Sequence, residues 1–234
     1  MRVFAIVLCG GTSKRFENEQ HKCLFELKGK PVIVRAMEPL WENKFVEKIV
    51  LVLHPSIQEK VLKAIHQFGG WKASAVVENG AERQYSVKNG LEALKAFNPK
   101  ASDIVLVHNG CNPLVTPQNV ADCIAAAERH GASVAAYKVK DTIKRVNAEN
   151  KIIETLGKSE LMGMQTPQCI QYKLFAEAHE KAEKDHFLGT DDVQLVERLG
   201  VQPIAVDCGY DNIKITTIED IAIAEKTLEK RGTR

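Results

Sequence analysis

The sequence predicts an α/β fold, with a mostly parallel central sheet flanked by helices and a projecting β-arm, on three observations. Short β-branched runs alternate with segments of helical periodicity, the pattern of strands joined by crossover helices. The clearest runs are apolar on both faces, as strands covered from above and below must be. At 234 residues, 44% apolar and 26% charged, the chain has globular composition and the length of one large domain. Residues 1–234 are therefore read as a single domain, with an arm at about residues 139–158.

The elements follow in order. Val3–Cys9 is the first buried strand: its apolar run is far shorter than the roughly 20 residues of a membrane span and lacks a small-residue cleavage pattern. Pro31 opens a helix to about Trp41, where its missing N–H costs nothing, and Pro39 is expected to kink or end that helix. Val46–Leu53 is the second strand. After His54-Pro55 come Ile57, Val61, Leu62, Ile65 and Phe68, one apolar helical stripe stopped by Gly69-Gly70. A third helix carries Val87, Leu91 and Leu94, Asp103–Val107 is a third strand, and a fourth helix begins after Pro117. Thr142–Val146 and Ile152–Leu156 then flank the polar turn Asn147 to Asn150 as a hairpin, an arm that must bury itself against something. Helices at Tyr172–Glu183 and Asp191–Leu199 precede strands near Pro203–Val206 and Asn212–Thr216. The last helix starts at Thr217 with Glu219 and Asp220 suiting its positive end.

Charge and cysteine usage exclude several functions. With 32 Lys and Arg against 30 Asp and Glu, the net charge of +2 is too small to attract a nucleic-acid backbone, so an anionic ligand must be held locally. No nucleic-acid or membrane partner is expected. The six cysteines are scattered, with no Cys-x-x-Cys pair, and read as reduced, small apolar side chains of a cytoplasmic protein. Cys111 has no evident activating base in the sequence.

The first strand runs directly into Cys9-Gly10-Gly11-Thr12-Ser13-Lys14-Arg15-Phe16, with Lys22 beyond. Glycines let backbone N–H groups close on phosphate oxygens while Arg15 and Lys22 neutralise charge. The spacing is neither that of the ATPase loop nor that of the dinucleotide fingerprint, which argues against a dehydrogenase. Taken alone, a glycine pair after a strand is equally a tight turn bearing solvated basic residues.

Further segments add to the loop: Gly80-Ala81-Glu82-Arg83-Gln84-Tyr85-Ser86, Val107-His108-Asn109-Gly110-Cys111-Asn112-Pro113, Gln165-Thr166-Pro167-Gln168 and Asp211-Asn212-Ile213-Lys214-Ile215-Thr216. In order and spacing, from about Val3 to Leu228, the chain resembles the 2-C-methyl-D-erythritol 4-phosphate cytidylyltransferase family, whose near relatives act on ribitol phosphate. The resemblance implies a Rossmann-like nucleotidyltransferase fold and a cytoplasmic, Mg²⁺-dependent homodimer of isoprenoid precursor synthesis. Such an enzyme joins CTP to a polyol phosphate and releases pyrophosphate. It also implies catalytic Arg15, Lys22 and Lys214. Cys9, Gly10, Gly11, Thr12, Ser13, Gly80, Ala81 and Ser86 would hold the nucleotide, and Asp211 the metal. Asn109, Asn112, Thr142, Lys158 and Thr166 would hold the acceptor, with Thr142 and Lys158 reaching the neighbouring subunit on the arm.

The chain departs from the family at informative places. Where the family reads His-Asp-Ala-Ala-Arg-Pro, this sequence has amides at Asn109 and Asn112 and a thiol at Cys111. Neutral Asn is a poorer ligand for a hard cation than Asp, and the lost Arg bears on which acceptor is used. His21-Lys22-Cys23 replaces Pro-Lys-Gln, Ser13 replaces a second glycine, and Lys158 replaces an Arg, keeping charge without a two-pronged grip. Methylerythritol phosphate is the leading acceptor. Another polyol or sugar phosphate, or a nucleotide-binding relative without turnover, are the alternatives. His108 is read as a structural hydrogen-bonder, Thr190-Asp191-Asp192 as a helix cap with Thr190 as the capping residue, and the Lys/Glu-rich tail from Glu225 as a solvated face.

Overall fold

The β-branched runs form strands because their side chains pack on both faces of a pleated sheet, and the periodic segments between them cover those faces. The computed structural model describes residues 1–11, 16 and 20–232. In chain order the elements are β1 (Val3–Cys9), β2 (Glu26–Leu27), β3 (Lys30–Pro31), α1 (Val32–Trp41), β4 (Val46–Leu53), α2 (Gln58–Gln67), β5 (Ala73–Glu78), α3 (Arg83–Leu94) and β6 (Ile104–Asn109). There follow α4 (Pro117–His130), β7 (Ala132–Lys138), β8 (Lys144–Val146), β9 (Ile152–Thr155), β10 (Met162–Gln171), α5 (Tyr172–Lys184), α6 (Asp192–Glu197), β11 (Ile204–Asp207) and α7 (Glu219–Gly232).

Seven strands make the central sheet in the order β11-β7-β10-β6-β1-β4-β5. It is parallel except for β10, which runs antiparallel to both β6 and β7. Side chains of β1 alternate between two cores. Val3, Ala5 and Val7 pack with α1, α2, α4 and α7, whereas Phe4 and Ile6 pack with α3, α5 and α6. Each such fully buried Phe, Ile or Val contributes about 1.5–3 kcal/mol of burial. The chain leaves β1 towards β4 and β5, then crosses back to β6 on the other side. That reversal opens a crevice at the carboxyl ends of β1 and β6, the usual ligand site of an open α/β sheet.

Several expectations are corrected. Residues 212–216 form no strand: Ile215 N donates to Cys111 O (2.7 Å) and Asn212 Nδ2 to Thr166 O (2.8 Å), so their polar groups bind loops and leave no ladder. Pro39 lies inside α1, which runs two residues further to Trp41. Burial of Pro39, Leu40 and Trp41 offsets the one backbone bond the ring forfeits. Pro31 caps α1 and does not occupy its first turn. Asp191, not Thr190, caps α6, its side chain accepting from Gln194 N.

Strands β5, β7 and β10 lie outside the sequence expectation. Alanine dilutes the β-branched signal in β7, and Pro167 argues locally against a strand. The pairing of β10 with β7 breaks between Met164 and Gln168, a bulge that re-aims side chains there. The β8–β9 hairpin forms as expected and projects: Ile152 is 66% and Ile153 63% exposed, with Ile143 and Val146 also exposed.

Candidate functional site

Two clefts adjoin at the carboxyl end of β6, one on the side of β1 and one on the side of β10 and β7. The first, about 480 Å³, collects Cys9, Gly10 and Gly11 from the end of β1 with His21, Lys22 and Cys23 from the loop after it. Gly80, Ala81, Arg83 and Ser86 come from the start of α3, Asn109 and Cys111 from the end of β6, and Lys214 from the segment before α7. Most sequence-predicted nucleotide residues are thereby brought together. Thr12, Ser13 and Arg15 lie outside the described residues.

The local geometry has clear causes. A Cβ at Gly80 would come within 2.5 Å of Tyr85 Cβ, so only glycine fits that turn. Gly80 N donates to Ser86 Oγ (3.0 Å), and that hydroxyl donates to Glu82 O (3.1 Å). Ser86 therefore shapes the loop that lines the cleft, engaging Gly80 N and Glu82 O. His21 ties the phosphate loop at both ends, its Nε2–H donating to Gly11 O (2.7 Å) while Nδ1 accepts from Cys23 N (3.3 Å). Burial holds His21 below its ordinary pKa, in keeping with that neutral tautomer.

The second cleft, about 380 Å³, is lined by Asn112, Tyr137, Met164, Gln165, Thr166, Gln168, Thr190, Asp191, Tyr210 and Asn212. Arg83, Asn109 and Lys214 line both clefts and form the wall between them. An ammonium at that junction can touch ligands on both sides at once, which is what a group transfer between them requires.

An amide chain sets the floor. Asn109 Nδ2 donates to Asn112 Oδ1 (3.1 Å), and Asn112 Nδ2 to Asn212 O (3.3 Å). His108, fully buried, donates from Nε2 to Asn112 O (3.2 Å), which leaves Nδ1 to accept from the Thr166 hydroxyl (3.0 Å). Thr166 Oγ1 in turn accepts from Asn109 N (3.2 Å). His108 is thus the structural hydrogen-bonder expected.

Burial pushes His108, and likewise His179 on α5, down to about 4. Both stay neutral when folded while the unfolded chain takes up protons below about pH 6.5, so stability is complete above that pH and lost as it falls towards 4. The free energy of unfolding should drop by about 2 kcal/mol per histidine from pH 7 to pH 5. Urea titrations of the wild type and His179→Phe check this: the variant should lose roughly half the slope, and a flat wild-type profile would contradict it.

Other predicted residues lie elsewhere. Asp211 lines neither cleft, facing Ile223, Lys226 and Lys230 of α7 instead. The consecutive residues Asn212, Ile213 and Lys214 line the second cleft, and Asp211 lies outside both clefts. Thr142 and Lys158 are exposed on the arm and reach neither cleft of their own chain, Lys158 Nζ donating to Lys140 O. Among the described residues no group of three His, Cys, Asp or Glu could hold a metal. The carboxylates at the clefts, among the described residues, are Glu82 in one and Asp191 in the other, and Asp191 already accepts from Gln194 N and Gln168 Nε2. A Mg²⁺ ion held mainly by substrate phosphates and water asks for only one or two carboxylates, which Glu82 in the nucleotide cleft can supply.

The sequence reading missed Arg83, His21, Tyr137, Gln165 and Tyr210 as site residues. Arg83 was within reach, standing inside a quoted motif. Its guanidinium makes a two-pronged bond to buried Asp192, Nη1 to Oδ1 (2.9 Å) and Nη2 to Oδ2 (2.6 Å), which fixes α3 against α6.

Comparison with known proteins agrees with this geometry. Residues 3–230 match the 2-C-methyl-D-erythritol 4-phosphate cytidylyltransferase family. The chain is 38% identical to the protein of that name from Geobacillus kaustophilus over 231 residues, 99% of each. It is 39% identical to that of Geobacillus thermodenitrificans, again over 99% of each. Among solved structures, 4-diphosphocytidyl-2C-methyl-D-erythritol synthase from Anaerococcus prevotii superposes with a TM-score of 0.83 at 27% identity, over 97% of this chain and 98% of that one. The Thermus thermophilus cytidylyltransferase gives 0.74 at 26% identity, over 98% and 100%. With its loop, its two clefts and its full-length similarity accounted for, the chain belongs to the 2-C-methyl-D-erythritol 4-phosphate cytidylyltransferase family.

Proposed function

We propose that the chain transfers the cytidylyl group of CTP to 2-C-methyl-D-erythritol 4-phosphate, releasing pyrophosphate. The observation that carries this is the shared wall of Arg83, Asn109 and Lys214 between a glycine-lined cleft and a polar one. CTP occupies the first cleft with cytosine at the backbone of residues 80–82 and phosphates at Gly10, Gly11 and Lys22. The acceptor occupies the second. A phosphate oxygen of the acceptor attacks the α-phosphorus, the new O–P bond forms, and the bond to the β,γ-pyrophosphate breaks. Negative charge gathers on the phosphoryl oxygens, so the chain supplies positioned cations, Lys22 and Lys214, with Arg15 joining them on the strength of the family resemblance. Mg²⁺ arrives on the triphosphate as part of the substrate.

A pyrophosphate-release assay crossing four nucleotides with a panel of polyol and sugar phosphates tests the reading. CTP with methylerythritol phosphate should turn over fastest. Equal use of ATP would overturn the base assignment, and absence of turnover with every pair would favour a nucleotide-binding relative. A second reading, with another polyol or sugar phosphate as acceptor, is favoured by the neutral Asn109–Asn112 pair where the family carries opposite charges, and the same panel decides it.

The chain works as a homodimer in this proposal, each arm serving the neighbour's acceptor cleft. Support comes from the exposed Ile143, Val146, Ile152 and Ile153, apolar side chains at a density that marks an interaction surface. Mixing Lys22→Ala protein with Lys158→Ala protein should restore activity, because a mixed dimer holds one site with both defects and one with neither. No recovery after demonstrated subunit exchange would refute the crossed arm. Among the described residues no helix is long and apolar enough to cross a membrane, and a cytoplasmic location is proposed with the free state of all six cysteines.

A further inference from the structure

We propose that Cys23 and Cys111 form a thiol–disulfide modification site at the nucleotide cleft, and that their oxidation by hydrogen peroxide slows turnover. The two residues are 88 positions apart, yet Cys23 Sγ lies 2.8 Å from Cys111 Sγ in the buried floor of the cleft. Both stand at positions where the family pattern that the chain resembles commonly has Gln and Ala. Its surroundings are built around sulfur as well. A Cβ at Gly110 would come within 2.1 Å of Cys9 Sγ, so Gly110 leaves the room that a third thiol fills.

Bond formation needs a closure of less than about 1 Å, because a disulfide holds its sulfurs about 2.05 Å apart. Peroxide reaching the cleft oxidises the Cys111 sulfur to a sulfenic acid, releasing one water. The Cys23 sulfur then attacks it, forming the S–S bond and releasing a second water. The pair loses two hydrogens and two electrons, and the peroxide is fully reduced. The hydrogen bond with Cys23, together with burial, holds the Cys111 thiol well above its ordinary range. The pair therefore resists weak oxidants and responds slowly.

The bond would act on both cations. Lys22 is the neighbour of Cys23, and Cys111 O accepts from Ile215 N (2.7 Å), next to Lys214. Joining the sulfurs ties the Lys22 loop to the turn after β6 and, through Ile215, to the Lys214 segment. Misplacement of catalytic groups by about 1 Å can cost on the order of 10²-fold in rate. We expect a loss of about 10-fold or more, reversed by dithiothreitol.

The bond itself does not depend on the reaction, whereas the rate effect rests on the proposed function, so two readouts are used. The purified protein is treated with peroxide, free thiols are alkylated, and peptides are mapped by mass spectrometry alongside a cytidylyltransferase assay. The expected result is a Cys23–Cys111 cross-link, lighter by two hydrogens, that accumulates in step with lost activity and disappears on reduction. Cys111→Ala and, separately, Cys23→Ser should form no cross-link and keep whatever activity they start with under the same peroxide. Failure to cross-link, a bond mapped to other cysteines, or a mapped bond with unchanged turnover overturns the proposal. A protein that cross-links but never turns over overturns the rate effect along with the proposed function, while the mapped bond stands on its own readout.

Discussion

Alanine in place of Lys22 is expected to slow turnover by about 10²-fold or more, the scale for removing one preorganised group that stabilises transition-state charge. Lys22 lines the nucleotide cleft together with Gly10 and Gly11, and its backbone is braced by His21, whose ring joins Gly11 to Cys23. The loss should fall mainly on kcat, because the glycine loop and the residue 80–82 backbone still hold CTP when the side chain is gone. Lys214→Ala should behave alike, with an additional rise in KM for the acceptor, since Lys214 faces both clefts. Steady-state kinetics with each substrate varied separate these effects. Near-normal kcat in either variant would remove that lysine from the mechanism.

Arg83→Ala should destabilise the fold by about 3–5 kcal/mol, the range for stranding one member of a buried ion pair. Asp192 is only 1% exposed and takes both guanidinium nitrogens. Without Arg83 its carboxylate is left buried with no countercharge, and α3, which begins at the proposed cytosine loop, loses its hold on α6. The double variant Arg83→Met/Asp192→Leu removes both charges and should recover much of the loss. Urea unfolding of the single and double variants measures both numbers. A single variant that loses less than about 1 kcal/mol would show that the pair is solvated and contributes like a surface bridge.

Sequence by itself determined the parts of this protein whose information is local. The strands β1, β4 and β6 were legible because each holds at least four consecutive apolar residues, and α2 because its stripe repeats every three or four residues before a glycine pair. Gly10, Gly11 and Lys22 were legible because phosphate chemistry asks for recognisable residue types after a strand, Gly80 and Lys214 through the resemblance of their motifs to the family, and the nucleotide cleft brings all five together. The arm was legible from its polar turn.

Only the tertiary structure decided what depends on partners distant in sequence. Asn212–Thr216 looks like a strand by composition, but strand formation needs a neighbour with free ladder groups, and this segment meets loops instead. Its path then placed Lys214 at the junction of two clefts and left Asp211 outside both, a matter of loop packing that no motif encodes. Strand β10 was hidden because Gln165, Thr166 and Gln168 serve the cleft and Pro167 argues locally against a strand. Arg83 with Asp192, 109 residues apart, and Cys23 with Cys111 show the same limit. A burial or a bond between remote residues is a property of the assembled sheet, whose strand order brings their loops to one edge, and it becomes visible only once that order is fixed.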